Sequence, residues 1–268
     1  MPYCFSMTLW QAFAVAIVAG LVLGSFLNVC IVRLPRHESI AKPRSHCRAC
    51  GVQIRAVDNI PLLAWIKLRA RCRNCRQRIS IQYPLVELST ALLFCGCVAQ
   101  TAATWQTIID AAACFFLLGL TVMDWQTMLL PDSFTLTGLA LAFILQVCGP
   151  GVYDRAYIAW KTLAEAALAA ALLLIVLCIY WLVRRRQGIG WGDVKLLAMI
   201  AAFLGLPSAL FAYFFGVIGA AAFAVMLIVR RQARGFDRIP FGTFLAGAGI
   251  LAVFVGTPVL TWYLNLFR

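Results

Sequence analysis

The chain has 268 residues, 63% of them hydrophobic and 12% charged, and its mean hydropathy is +0.89. That composition excludes a soluble globular domain and points to an all-α polytopic membrane protein. The formal net charge of +13 raises nucleic acid as a partner, but the distribution of the charge removes it.

Apolar runs suited to crossing a bilayer, roughly 17–25 residues each, cover 9–33, 85–103, 107–123, 134–149, 157–183, 194–206, 208–229 and 241–264, which predicts eight transmembrane helices. The first run is too long for a signal-peptide core and lacks a basic start and a small-residue cleavage site, so a retained span is expected. The sixth is short, and a tilted or partly re-entrant helix is expected there. With both chain ends outside the cytoplasm, the inside segments are 33–84, 124–133, 184–195 and 230–240. They hold 20 of the 23 Lys and Arg residues, leaving only Arg155, Lys161 and Arg268 outside. This asymmetry follows the positive-inside rule. The basic excess is therefore a topology signal with affinity for anionic lipid, and no nucleic-acid partner is expected. The implied organisation is a first transmembrane helix (1–35), a small cytoplasmic segment (36–84) and a transmembrane domain (85–268).

Span one ends in Gly24-Ser-Phe-Leu-Asn-Val-Cys-Ile-Val-Arg-Leu-Pro35, where Asn28 is expected to hydrogen-bond between helices. Residues 36–84 are too few for a comfortable core. They carry Cys47-Arg-Ala-Cys50 and Cys72-Arg-Asn-Cys75, with 21 residues between the pairs. In a reducing cytoplasm such knuckles suit four thiolates on a structural Zn²⁺, with Cys47, Cys50, Cys72 and Cys75 as ligands; the alternative is a redox pair or four unligated thiols. Neighbouring arginines would favour the thiolates. His46 is an alternative fourth ligand. Between the knuckles, Asp58-Asn-Ile-Pro61 reads as a turn before an apolar patch. In Tyr83-Pro-Leu-Val-Glu-Leu88, Glu87 is either a first-turn acid or a buried partner for an arginine. The remaining cysteines (4, 30, 95, 97, 114, 148 and 178) sit in or beside apolar runs as small hydrophobes. No internal repeat stands out.

Span three ends at Asp124, in Met123-Asp-Trp-Gln-Thr-Met-Leu-Leu-Pro-Asp132. A helix C-terminus disfavours a carboxylate, so Asp124 is a functional candidate. Asp132 follows Pro131 and is expected to cap span four. Arg184 to Arg186 stop span five. Gly188-Ile-Gly-Trp-Gly-Asp-Val-Lys195 then delivers Asp193 to the start of span six. Later, Pro240 and Gly242 suggest a bent entry into the last span. Amide hydrolysis needs a base to activate water and an acid for the leaving nitrogen, and two neighbouring carboxylates supply both. The alternative is that each aspartate pairs with Lys195 or an arginine of 184–186.

Gly190-Trp-Gly-Asp193 with an upstream membrane aspartate resembles the GxGD class of intramembrane aspartic proteases. GSFLNVCIVRLP, the paired CxxC motifs, DNIPLLAW, YPLVEL, MDWQTMLLPD, GWGDVKLLAM and IPFG together resemble the bacterial type IV prepilin peptidases, block by block over nearly the whole chain. The resemblance implies a multi-pass protein of the bacterial inner membrane with Asp124 and Asp193 as catalytic residues. It implies cleavage of the basic leader of type IV prepilins or type II secretion pseudopilins, after a Gly, at the cytoplasmic face. Many members then methylate the new N-terminus with S-adenosylmethionine, using the cysteine-bearing region. Two departures stand out. Ala70 occupies a position where the family commonly has Gly, which bears on methylation, and Gln126 replaces a second acid after the first aspartate. A zinc-containing transporter, or an inactive assembly factor of a pilus or secretion system, are readings from other classes.

Overall fold

A computed structural model describes residues 7–185, 190–230 and 239–265. Among these are ten α-helices. The first, α1 (Leu9–Arg33), starts at a capping box in which Thr8 and Gln11 exchange side-chain and backbone hydrogen bonds. After it come a short α2 (Leu63–Lys67), α3 (Gln82–Thr101), α4 (Trp105–Thr127), α5 (Asp132–Val147) and α6 (Arg155–Arg184). The remainder is α7 (Trp191–Leu204), α8 (Leu206–Val229), α9 (Phe241–Leu251), a π-helical turn (Ala252–Gly256) and α10 (Thr257–Asn265). Every predicted span falls on a helix. Five are long and apolar enough to cross a membrane by length and composition, and Asp132–Val147 and Phe241–Gly256 are shorter apolar helices.

The chain forms two compact units, Cys4–Thr107 and Ile108–Arg268. In the first, α3 packs along α1. Gly20 and Gly24 make this possible: a Cβ at Gly20 would meet the backbone of Ala91, and one at Gly24 would lie 2.7 Å from the Glu87 Cα. Small residues one turn apart let membrane helices approach this closely. Asn28 donates from Nδ2 to the Tyr83 carbonyl at 3.0 Å, the expected inter-helix bond. Buried Arg33 then gathers the chain leaving α1, donating to the carbonyls of Ser39 (2.9 Å), Ile40 (3.4 Å) and Pro43 (2.7 Å).

In the second unit α7 is the core. Its residues from Leu196 to Phe203 are all apolar and all buried, as expected of a helix that is hydrophobic on every side. Its 14 residues span about 21 Å, short of the bilayer's hydrocarbon thickness. Small residues bring its neighbours in. A Cβ at Gly249 of α9 would stand 3.1 Å from both Ile200 of α7 and Leu117 of α4, and one at Gly138 of α5 would meet Met199 and Phe116. Gln146 of α5 donates to the Phe203 carbonyl at 2.9 Å. Gly205, at φ +82°, breaks α7 from α8 without a loop. By contrast α6 and α8 are only 11% buried over their most apolar windows.

Candidate active site

Asp124 lies in the last turn of α4 and Asp193 in the first turn of α7, and both are buried. Asp193 closes its own helix start: its Oδ2 accepts the Gly190 amide at 3.0 Å, while the Gly190 carbonyl accepts the Asp193 amide at 3.1 Å. The positive end of the α7 dipole faces this carboxylate. Gly188 and Ile189, which precede it in the motif, lie outside the described residues, as does 231–238 of the loop leading to the last span.

Asp124 has no such help from its own helix, and another element supplies it. The Thr243 amide donates to Asp124 Oδ2 at 2.6 Å and the Thr243 hydroxyl to the same oxygen at 2.9 Å. Thr243 sits in the first turn of α9, directly after Ile239-Pro-Phe-Gly242. A Cβ at Gly242 would lie 2.9 Å from Leu130 Cδ1 and 3.1 Å from the Asp124 carboxyl carbon, so the glycine is what lets α9 pass over the aspartate. At Gly192 a Cβ would lie 2.9 Å from Leu130 Cβ. Leu130 is thus wedged between the residue before Asp193 and the one before Thr243. Phe223 of α8 bridges Trp125 (5.7 Å) and Phe244 (5.3 Å), bracing the end of α4 against the start of α9.

The expected capping role of Asp132 is not observed. It is the first residue of α5, no side chain caps that helix, and its Oδ1 instead accepts Lys195 Nζ at 2.6 Å. Lys195 is thereby occupied, and among the described residues neither Asp124 nor Asp193 is ion-paired. Neither Thr243 nor Leu130 stands out in sequence as a neighbour of the aspartates. Their roles come from close approach, which only a tertiary fold defines.

In the first unit, the sulfurs of Cys47, Cys50, Cys72 and Cys75 all lie within 4.8 Å of one another. The Cys47 and Cys75 sulfurs are 3.8 Å apart, which matches the edge of a tetrahedron with Zn–S bonds of about 2.3 Å. His46 is not in the cluster; its Nδ1 lies 3.1 Å from the Arg44 carbonyl. The residues present could hold a metal ion. The two knuckles share one hydrogen-bond plan, offset by 25 residues. Cys47 N–H donates to Val52 O and Ile54 N–H to Ser45 O; Cys72 N–H donates to Gln77 O and Ile79 N–H to Ala70 O. Isolated bridges His46–Gln53 and Arg71–Arg78 repeat the match. A structural repeat therefore exists where none stood out in sequence. The Val52 amide, with the Asn74 side chain, pulls the Cys50 thiol down to about 6. Of the neighbouring arginines, Arg73 is bound to Asp58 through two hydrogen bonds. Arg73 holds the Asp58 carboxyl below the usual carboxylate range. Glu87 is not a first-turn acid, and among the described residues it has no arginine partner: its Oε2 accepts the Leu62 amide at 2.8 Å.

Comparison with known proteins agrees with this division. Residues 18–101 match the bacterial peptidase A24 N-terminal domain, and residues 111–225 match the type IV leader peptidase family. The chain belongs to the type IV leader peptidase family. It is 35% identical to a prepilin leader peptidase/N-methyltransferase of Aeromonas hydrophila, over 96% of each chain. It is likewise 35% identical to proteins of that name from Burkholderia pseudomallei, over 91% of this chain and 86% of that one, and from Pseudomonas putida, over 94% and 96%. No solved structure matches.

Proposed function

We propose that the protein is a bifunctional enzyme of the bacterial inner membrane. It removes the basic leader of type IV prepilins or type II secretion pseudopilins after a Gly, then methylates the new N-terminus. The observation that carries the peptidase reading is the pair of buried acids from α4 and α7, each next to a glycine or threonine turn packed on Leu130 and without a cationic partner among the described residues. Two such carboxylates hold one proton between them: the ionised one takes a proton from water, and the protonated one gives its proton to the leaving amide nitrogen. Asp124 and Asp193 fill these roles. Thr243 and Gly190 hold one oxygen of each carboxylate, leaving the other to the substrate. The active site opens to the cytoplasm and both termini lie in the periplasm, in line with the charge distribution.

The segment 36–84 is a zinc module held by Cys47, Cys50, Cys72 and Cys75, with the metal contributing folding energy. The first span is 1–35 and the aspartates belong to the 85–268 region, although α3 of that region packs on α1. S-adenosylmethionine supplies the methyl group.

Co-expression with a prepilin, followed by mass spectrometry of the pilin N-terminus, tests both halves together. Wild type yields a shortened, methylated product. Asp124→Asn and Asp193→Asn each abolish shortening, because members of a catalytic unit fail together. Asp132→Asn costs little, since its partner Lys195 is an exposed ion pair of the kind contributing at most about 1 kcal/mol. Near wild-type processing by either of the first two variants would refute the assignment.

A further inference from the structure

Three sequence blocks that the aspartates do not use, 24–35, 58–65 and 83–88, meet in the first unit. Asn28 is 1% exposed; its Nδ2 donates to the carbonyls of Gly24 and Tyr83, while its Oδ1 has no hydrogen-bond partner. One turn along α3 from Tyr83, Glu87 is 6% exposed and accepts the Leu62 amide. Among the described residues no Lys or Arg is ion-paired with it. On α2, one turn after Leu62, the Trp65 indole N–H is a second buried group with no partner.

Buried polar atoms are nearly always satisfied, and a buried carboxylate normally has a counter-charge. Here a carboxylate and an amide oxygen want N–H donors, and an indole N–H wants an oxygen. A group that answers all three carries an ammonium and, one carbon away, a carbonyl or carboxylate oxygen. We propose that this niche of Asn28, Glu87 and Trp65 binds an α-amino group together with the carbonyl or carboxylate beside it. The inference rests on the methylation half of the proposed function, where two reactants have this chemistry. One is the free N-terminus of a cleaved peptide; the other is the amino-acid end of S-adenosylmethionine. Glu87 and Asn28 receive the ammonium, and Trp65 donates to the neighbouring oxygen.

Binding to the purified full-length protein separates these sources, using S-adenosylmethionine, a synthetic peptide with a free amino-terminal Phe, and its N-acetylated counterpart. Glu87→Gln keeps the shape and the acceptor for Leu62 but removes the charge. It weakens one free-amine ligand roughly tenfold. Trp65→Phe weakens the same ligand by about threefold, the smaller loss expected of a neutral donor. A loss confined to the free peptide, with the acetylated one unaffected, assigns the niche to the acceptor; a loss confined to S-adenosylmethionine assigns it to the donor. Should Glu87→Gln lower the Tm, Trp65→Phe decides, because it breaks no hydrogen bond that the fold uses. Unchanged binding of both ligands by a folded variant overturns the niche. A wild-type protein that binds neither overturns the methylation reading beneath it.

Discussion

Asp124 ends a helix, where the dipole disfavours a carboxylate, and its Oδ2 meets two donors of one residue there, the amide and the hydroxyl of Thr243. The Thr243 hydroxyl has one proton and two acceptors in reach: Asp124 Oδ2 at 2.9 Å and the Thr121 carbonyl at 3.3 Å. The shorter, charge-assisted bond prevails. Thr243→Val keeps the amide bond and the side-chain shape. It is expected to lower kcat for prepilin cleavage by about tenfold or more, as a bond to a charged group is worth roughly 1.5–3 kcal/mol. Thr243→Ser should stay near wild type, and a fully active Thr243→Val would mean that the hydroxyl serves only α4. A second residue explains a departure from the family pattern. Ala70 stands at φ 56° directly after Arg69 at φ 51°, both in the left-handed region. Glycine is the residue that adopts this backbone without penalty, which accounts for its use at this position in the family resemblance. Alanine retains the conformation at a cost of about 1 kcal/mol. Ala70→Gly should therefore leave the Tm of the purified protein unchanged or raised, whereas β-branched Ala70→Val should lower it clearly. Both aspartates were legible from sequence because an acid beside apolar residues is conspicuous. Thr243 was not, since a threonine on a membrane helix is ordinary until something packs against it.

The knuckles show where sequence patterning stops at the level of elements. The two CxxC pairs announce a metal site through spacing alone, and the four sulfurs do converge. The repeat containing them is invisible, because over the ten positions from Ser45 and from Ala70 the two copies share only Cys, Arg, Cys and Ile. The rest of the match is backbone hydrogen bonding, which many residues satisfy equally. Such a small module has little apolar core, so a metal ion bound by the four thiolates would contribute to its folding. Purified protein is expected to carry about one Zn²⁺ per chain, released in the double variant Cys47→Ser/Cys72→Ser. Loss of the metal should lower methylation before it affects cleavage, since the aspartates belong to the unit beginning at Ile108. Elemental analysis showing no zinc in chelator-free preparations would remove the metal from the proposal. The helices themselves were read well because a bilayer forces every backbone group into intrahelical bonds. Asp132 was misread because a Pro-Asp step fits an N-cap on local grounds. Its actual partner, Lys195, is 63 positions away.

At the scale of the molecule, charge placement and apolar length mark out the spans, but not which helix is central: α7 reads only as a shorter apolar run than α8. The second unit buries one almost completely and leaves the other mostly outward-facing. What decides is the set of small residues on the neighbours of α7, Gly138 and Gly249, and their packing partners cannot be read from one sequence. Net charge has a further consequence for substrate choice. The protein carries +13, and the leader of its proposed substrate is also basic, so their mean attraction cannot come from charge; like charges repel. Selection must rest on the bond itself and on the apolar helix after it. Two carboxylates acting on an amide need an extended, uncrowded backbone at the scissile carbonyl, and a Gly before the bond provides one. Changing that substrate Gly to Val should stop cleavage. Removing one leader Lys should slow it by no more than about threefold, within the range of exposed charge contacts. Both substrates belong in the same membrane preparation, with initial rates read from the mobility shift. If the Lys deletion proved the more damaging, the enzyme would be reading leader charge directly, and local acidic contacts would have to outweigh its overall positive field.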